Sequence, residues 1–295
     1  MNASISELPD AQFRHVLVPL DGSELSLAAI PTARVLAERF DAELHTISVA
    51  EAGGGDADRL LAFGSIALGV DVGDARAVVV TGDPAEGIVQ RAEELGACLV
   101  CLSTHGRGRL SGAFVGSVAR SVLRLSRDAV VAVGPLADRP GWSPSPNWPP
   151  PLSVRRIVVC VDGSANSEEV LPVASAWARA LGMSMTIVTV IEDAPAPLRP
   201  DRGAGQYGAG RDVDAYVEDL VKQWQATAPN VNGEVIKDPI SVASGLRTYL
   251  DQKPAGLVAV TTHARTGLRR LLLGATAASI VHASVAPCLV VPLRV

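Results

Sequence analysis

Short apolar runs alternate with longer segments of helical periodicity along the whole chain. The first five runs, at residues 15–20, 43–49, 75–80, 99–103 and 129–133, are rich in Val, Leu and Ile. Near-continuous apolar runs of this length belong to strands buried on both faces rather than to half-exposed ones. The same order returns at residues 156–161, 185–191, 234–237, 257–261 and 288–292. Strands alternating with helices imply right-handed crossovers, so each half predicts a doubly wound, parallel, five-stranded sheet of the α/β class. Such sheets bind ligands beyond the carboxyl ends of their strands, where the winding reverses.

The two halves also share phrases. HVLVPLDGSELS begins at His15 and RIVVCVDGSANS at Arg156, which places Asp21 and Asp162 at equivalent strand exits. Farther on, CLSTHGRGRLSGAFVGSVARSVL in the first half matches AVTTHARTGLRRLLLGATAASIV in the second. His105 precedes Gly116 by 11 residues, and His263 precedes Gly274 by the same 11. This is an internal duplication. The second copy is about 17 residues longer, most simply within 192–211, where prolines and glycines cluster as in a surface loop. A run of prolines at 140–151 reads as a semi-rigid connector. The boundaries expected are therefore residues 1–136 for the first domain, 137–153 for the linker and 154–295 for the second, with the two domains pairing about a pseudo-twofold axis. Trp142 and Trp148 in the linker are read as packing onto the domains.

Composition narrows the function classes. Across 295 residues the net charge is −5, with no basic stripe, which argues against nucleic-acid binding. Apolar residues make up 48% and aromatics 4%, in keeping with Val, Leu, Ile and Ala packed between sheet and helices. No apolar stretch reaches the roughly 18–20 residues that span a bilayer, and the first residues lack the basic and apolar regions of a secretory signal. A cytoplasmic protein is expected. Four cysteines at this length make no disulfide framework.

The loop after the fourth strand carries the readable chemistry. Gly106 and Gly108 allow positive φ and close approach of a ligand, and Arg107 adds charge. Gly116-Ser117 opens the next helix, whose free N–H groups and positive dipole end suit an anion. The glycines alone leave two readings open, a phosphate cradle or a tight turn. No G-x-x-x-x-G-K-[ST] occurs, and no G-x-G-x-x-G follows the first strand of either copy.

These residues resemble the signature of the universal stress protein family: G-x-x-G, nine residues, then G-[ST], with an Asp at the end of the first strand. Here the signature reads Ser103-x-x-Gly106, residues 107–115, then Gly116-Ser117, with Asp21 in LVPLDGS. Ser103 replaces the first glycine. GDPAEGI at Gly82 also resembles the family's exit from the third strand. The resemblance implies ATP binding, with Asp21 and Val49 near adenine and ribose and with Gly106, Gly116, Ser117 and Val118 around phosphates that carry Mg²⁺ or Mn²⁺. Pro19, Leu20, Ser103, Arg107 and Gly108 complete the first set. In the second copy the matching positions are Asp162, Val190, Thr261, Ala264, Gly274, Ala275 and Thr276. Ala264 puts a Cβ where the family has bare backbone, and Ala275 removes the Ser117 hydroxyl, so the two sites are expected to be unequal.

Other residues have plainer readings. Cys98 and Cys101 lie three apart in a strand and so face opposite ways, which disfavours a shared metal or a disulfide. His105 and His263 recur without a local acidic partner and are read as structural. His15, His45 and His282 show no ligand spacing. No nucleophile–base pair is legible, so the expectation is a non-enzyme, with at most slow ATP hydrolysis. The leading reading is an ATP-dependent regulatory module in stress response or growth control, expected as a homodimer with an unknown protein partner. The alternative is a ligand-free interaction scaffold.

Overall fold

A computed structural model describes residues 13–50, 55–105, 115–137, 152–192, 212–262 and 274–293. The first repeat runs β1 (His15–Pro19), a 3-10 turn (Glu24–Ala29), α1 (Ile30–Phe40), β2 (Glu43–Ala50), α2 (Ala57–Leu68), β3 (Ala77–Thr81), α3 (Pro84–Leu95), β4 (Cys98–Ser103), α4 (Ser117–Leu125) and β5 (Val130–Val133). The second runs β6 (Arg156–Cys160), α5 (Ala165–Glu168), α6 (Val170–Leu181), β7 (Ser184–Glu192), α7 (Val213–Trp224), β8 (Val231–Asp238), α8 (Val242–Gln252), β9 (Leu257–Thr261), α9 (Ala275–Ala283) and β10 (Cys288–Val291). The expected longer segment of the second copy and most of the proline-rich connector, with Trp142 and Trp148, lie outside the described residues.

Local chemistry sets the element ends. Asp83 caps α3, its carboxylate accepting from the N–H groups of Ala85 and Glu86, and Pro84 follows where a missing N–H costs nothing. β8 starts three residues earlier than its apolar pattern predicts. Its pairing with β7 runs unbroken from Met185↔Val231 to Glu192↔Asp238, so the backbone ladder carries the strand across Asn232 and Gly233.

Each repeat has the expected parallel sheet, but the two are joined. The strand order is β3-β2-β1-β4-β5-β10-β9-β6-β7-β8, one ten-stranded sheet whose single antiparallel step is β5 against β10. The paired residues are Val130↔Val290, Val131↔Leu289 and Ala132↔Cys288. Both strands, VVAV and CLVV, are buried throughout, and an unpaired apolar edge of that kind would template aggregation. Pairing them removes both edges at once.

Two apolar layers cover the sheet. One holds α1, α6 and α7 with Val16, Leu99, Ile157 and Leu257. The other holds α3, α4, α8 and α9 with Leu17, Val100, Val158 and Val258. Both layers run through the two repeats. Trp177 of α6 packs its ring against Phe13 and Phe40 of the first repeat, with centroids 5.5 and 5.3 Å away. No helix among the described residues is long and apolar enough to cross a membrane.

Candidate functional site

The sheet order puts the winding reversal between β1 and β4: the chain leaves β1 towards β2 and later returns to β4 on the other side. Pro19 ends β1, with Leu20 and Asp21 directly after it; Val49 lies near the end of β2, and Ser103 ends β4. Gly116, Ser117 and Val118 open α4 on the same edge. The fold thus gathers the described first-repeat candidates at the carboxyl edge of one sheet. Gly106, Arg107, Gly108 and, in the second repeat, Ala264 lie outside the described residues.

Backbone bonds fix this edge. Leu20 N–H donates to Ile47 O at 2.8 Å, which carries the β1–β2 ladder one step past the strand. The chain then turns at Gly22, whose φ of 80° is open to glycine, and Asp21 Oδ1 accepts from both Ser23 N–H (2.9 Å) and Ser23 Oγ (2.6 Å). Thr104, fully buried, donates its N–H to Val133 O and accepts at its own carbonyl from Gly116 N–H at 2.8 Å. A Cβ at position 116 would stand 3.0 Å from Thr104 O, so this close approach calls for glycine. The α4 N-cap is that same Gly116, which offers no side chain to bind the first-turn N–H groups. Those groups belong to exposed Ser117 and Val118, at the positive end of the helix dipole. Ser103 Oγ turns back to donate to His105 O at 2.9 Å.

The second repeat copies this geometry. Asp162 Oδ1 accepts from Ser164 N–H at 3.1 Å and from Ser164 Oγ at 2.6 Å. Gly274 N–H donates to Thr262 O at 2.7 Å, and Gly274 again leaves the helix, here α9, without a side-chain cap. Ala275 and Thr276 are the exposed first residues, so the first-position hydroxyl is missing, while Thr261 is buried at the end of β9. Val49 and Val190 turn their side chains to packing. Val49 Cγ2 lies 3.4 Å from where a Cβ on Gly87 would stand, and Val190 Cγ1 lies 2.9 Å from one on Gly245. Thr104 and Thr262, which hold the two helix starts, escaped the sequence reading, although STH and TTH at the two strand exits are a usable signal.

The histidines are where the sequence reading fails. His15, His45 and Glu43, scattered along the chain, converge at the opposite, amino edge of the sheet. His15 Nδ1 lies 3.0 Å from His45 Nε2, and Glu43 Oε2 lies 3.1 Å from that same Nε2 and 3.8 Å from His15 Nδ1. Spacing within a strand could not reveal this, because the cluster forms across the β1–β2 pair. Likewise His282 of α9 comes to 5.6 Å, ring to ring, from His105 of the other repeat. Burial holds both of these imidazoles below the ordinary range, and for His105 the facing His282 adds to it. The cysteines behave as their spacing implies. Cys98 packs with one apolar layer and Cys101 with the other, all four thiols are free, and burial raises each, Cys98 to about 12.

The model of the universal stress protein family matches residues 12–134 and again residues 153–292. The chain belongs to the universal stress protein family. Its tandem arrangement of two family domains is the arrangement expected from the repeat. Universal stress protein Rv2005c of Mycobacterium tuberculosis is 34% identical over 140 residues, which are 42% of this chain and 46% of that protein. The matched segment therefore spans less than half the length of that curated relative. A universal stress protein from Archaeoglobus fulgidus superposes with a TM-score of 0.63 at 17% identity, covering 96% of this chain and 98% of the other. A crystal structure titled as a putative universal stress protein from Pseudomonas aeruginosa gives 0.60 at 18% identity, covering 96% and 94%. These likenesses establish the two-domain fold.

The described residues fit a phosphate-bearing ligand, the class that the family signature implies. Gly116 is pressed against Thr104 O, the α4 first turn is uncapped and exposed, and Asp21 stands at the exit of the adjacent strand β1.

Proposed function

We propose that this chain is an ATP-binding regulatory module in which the first repeat, residues 1–136, carries the stronger site. The observation that carries the reading is the uncapped start of α4, held at the sheet's winding reversal by the Gly116–Thr104 contact. Donors that the Gly116 cap leaves without a side-chain acceptor, at the positive end of a helix dipole, favour phosphate. In this reading the N–H groups of Ser117 and Val118 and the Ser117 hydroxyl bind phosphate oxygens. The family signature also assigns Gly106, Arg107 and Gly108 to the phosphates. The Asp21 carboxylate and the backbone of Pro19, Leu20 and Val49 orient the nucleoside. A Mg²⁺ or Mn²⁺ ion bound with the phosphates would supply charge neutralisation there.

The second repeat, residues 154–295 beyond a linker at 137–153, is the weaker site. Its α9 starts with Ala275, so only Thr276 offers a hydroxyl in the first turn. Asp162, Val190, Thr261, Ala264 and Gly274 take the equivalent places. In this reading the module turns ATP over slowly at most. Its output is a changed association with a second copy or a regulatory protein partner, in the cytoplasm, under stress or growth control.

Calorimetry with ATP tests the assignment. Replacing Asp21 by Ala together with Gly116 by Val is expected to weaken binding roughly tenfold or more. The matching change at Asp162 and Gly274 is expected to do less. Equal losses would overturn the ranking, and no ATP binding by the unaltered protein would favour a ligand-free scaffold, a reading for which the shared core and the β5–β10 seam also speak. Native mass spectrometry is expected to count one nucleotide per chain.

A further inference from the structure

The amino edge of the first repeat holds a cluster that the nucleotide site does not use. β1 and β2 lie side by side there, with His15 opposite Glu43 and Leu17 opposite His45. His15 and His45 are two apart along the paired ladder and so share one face of the sheet. Their ring nitrogens and Glu43 Oε2 make a triangle with sides of 3.0, 3.1 and 3.8 Å. The point equidistant from three such atoms lies about 2 Å from each, the length of Zn–N and Zn–O bonds. We propose that His15, His45 and Glu43 bind one exchangeable transition-metal ion of the Zn²⁺ class.

Donor chemistry sets that class. Two imidazoles and one carboxylate suit Zn²⁺ and its neighbours in the first row, not Mg²⁺ or Ca²⁺, which take oxygen. All three atoms have lone pairs to offer when the two imidazoles are neutral and carry their protons on the other ring nitrogen. The surroundings leave the carboxylate available. Arg76 is engaged by Asp74 through two bonds of 3.0 and 2.8 Å, and its closest approach to Glu43 is 4.0 Å, at the other oxygen. His45 is almost wholly buried, whereas the side chains of His15 and Glu43 are 24% and 50% exposed, so the ion is reachable and water can complete its shell. Among the described residues, His45 Nδ1 has no hydrogen-bond partner to orient it. A ligand lacking that support suits an exchangeable ion rather than a structural one.

The duplication shows that the fold does not require this cluster. The equivalent positions of the second repeat are Arg156, Ser184 and Thr186. Arg156 instead binds Lys253 O, Pro254 O and Tyr249 OH. The same edge of the same fold is thus held together there with no imidazole at all. The metal site also lies about 20 Å from Asp21, at the far end of β1, given roughly 3.3 Å per strand residue.

The test is Zn²⁺ titration by calorimetry of the full chain, stripped with chelator and free of nucleotide, with Co²⁺ absorption as a second readout. One Zn²⁺ per chain is expected, together with a rise in Tm. His15→Ala and Glu43→Gln are each expected to weaken binding about tenfold or more. Asp21→Asn is expected to leave it unchanged, which keeps this site separate from the nucleotide proposal. If His15→Ala fails to fold without metal, the exposed and isosteric Glu43→Gln decides. No heat from the unaltered protein, undiminished binding by Glu43→Gln, or a thiolate charge-transfer band with Co²⁺ would each overturn the site.

Discussion

Among single residues, the roles divide by what each side chain can reach. Asp21 and Asp162 each accept two bonds from a serine two residues on, so the DGS phrase that marks both repeats is first a turn and only then part of a site. Trp177 has the largest stake in packing. It is 1% exposed, meets Phe13 and Phe40 at steep ring angles, and stands where the first repeat has Leu36. Trp177→Ala is expected to cost about 3–5 kcal/mol in urea unfolding, because it removes ring contacts that cross between the repeats. The DGS turns and the apolar pattern were legible from the residues themselves. The His15–Glu43–His45 cluster was not, because its members become neighbours only when β2 lies against β1.

Elements are defined by caps as much as by apolar periodicity. Asp83 satisfies two N–H groups at the start of α3, and Asp83→Ala is expected to cost about 1 kcal/mol, read as a shift in the urea midpoint. The starts of α4 and α9 do the opposite, with Gly116 and Gly274 leaving the first turn open. In the function proposed above, an open and exposed first turn at the sheet's winding reversal is what favours phosphate at α4. The strand ends show the limit of pattern reading. β8 extends over Asn232 and Gly233 because β7 offers a ladder there, which no local preference indicates.

At the scale of the whole molecule, the two repeats form a single ten-stranded sheet. Gly134, just after β5, lies so close to α9 that a Cβ there would run into Val281 O. Gly134→Ala is therefore expected to destabilise the protein by about 1–3 kcal/mol, a loss measured by chemical unfolding, by forcing the repeats apart at their seam. His105 and His282 meet across the same seam, and both titrate below the 6.5 of an unfolded imidazole. Groups of this kind bind fewer protons folded than unfolded, so their contribution is complete above about pH 6.5 and is lost as pH falls through their lowered values. Urea midpoints are expected to fall on acidification below pH 6.5, and less steeply in His282→Gln. His45 is lowered too, chiefly by burial, so some acid sensitivity is expected to remain in that variant. Sequence by itself determined the duplicated α/β domains, the strand exits and the helix starts, because strand burial, caps and turns are written in neighbouring residues. Tertiary structure alone decided that β5 pairs with β10, that Trp177 fills a core shared by both repeats, and that two histidines and a glutamate meet at the amino edge. Those contacts join residues distant along the chain, and strand pairing and packing bring them together.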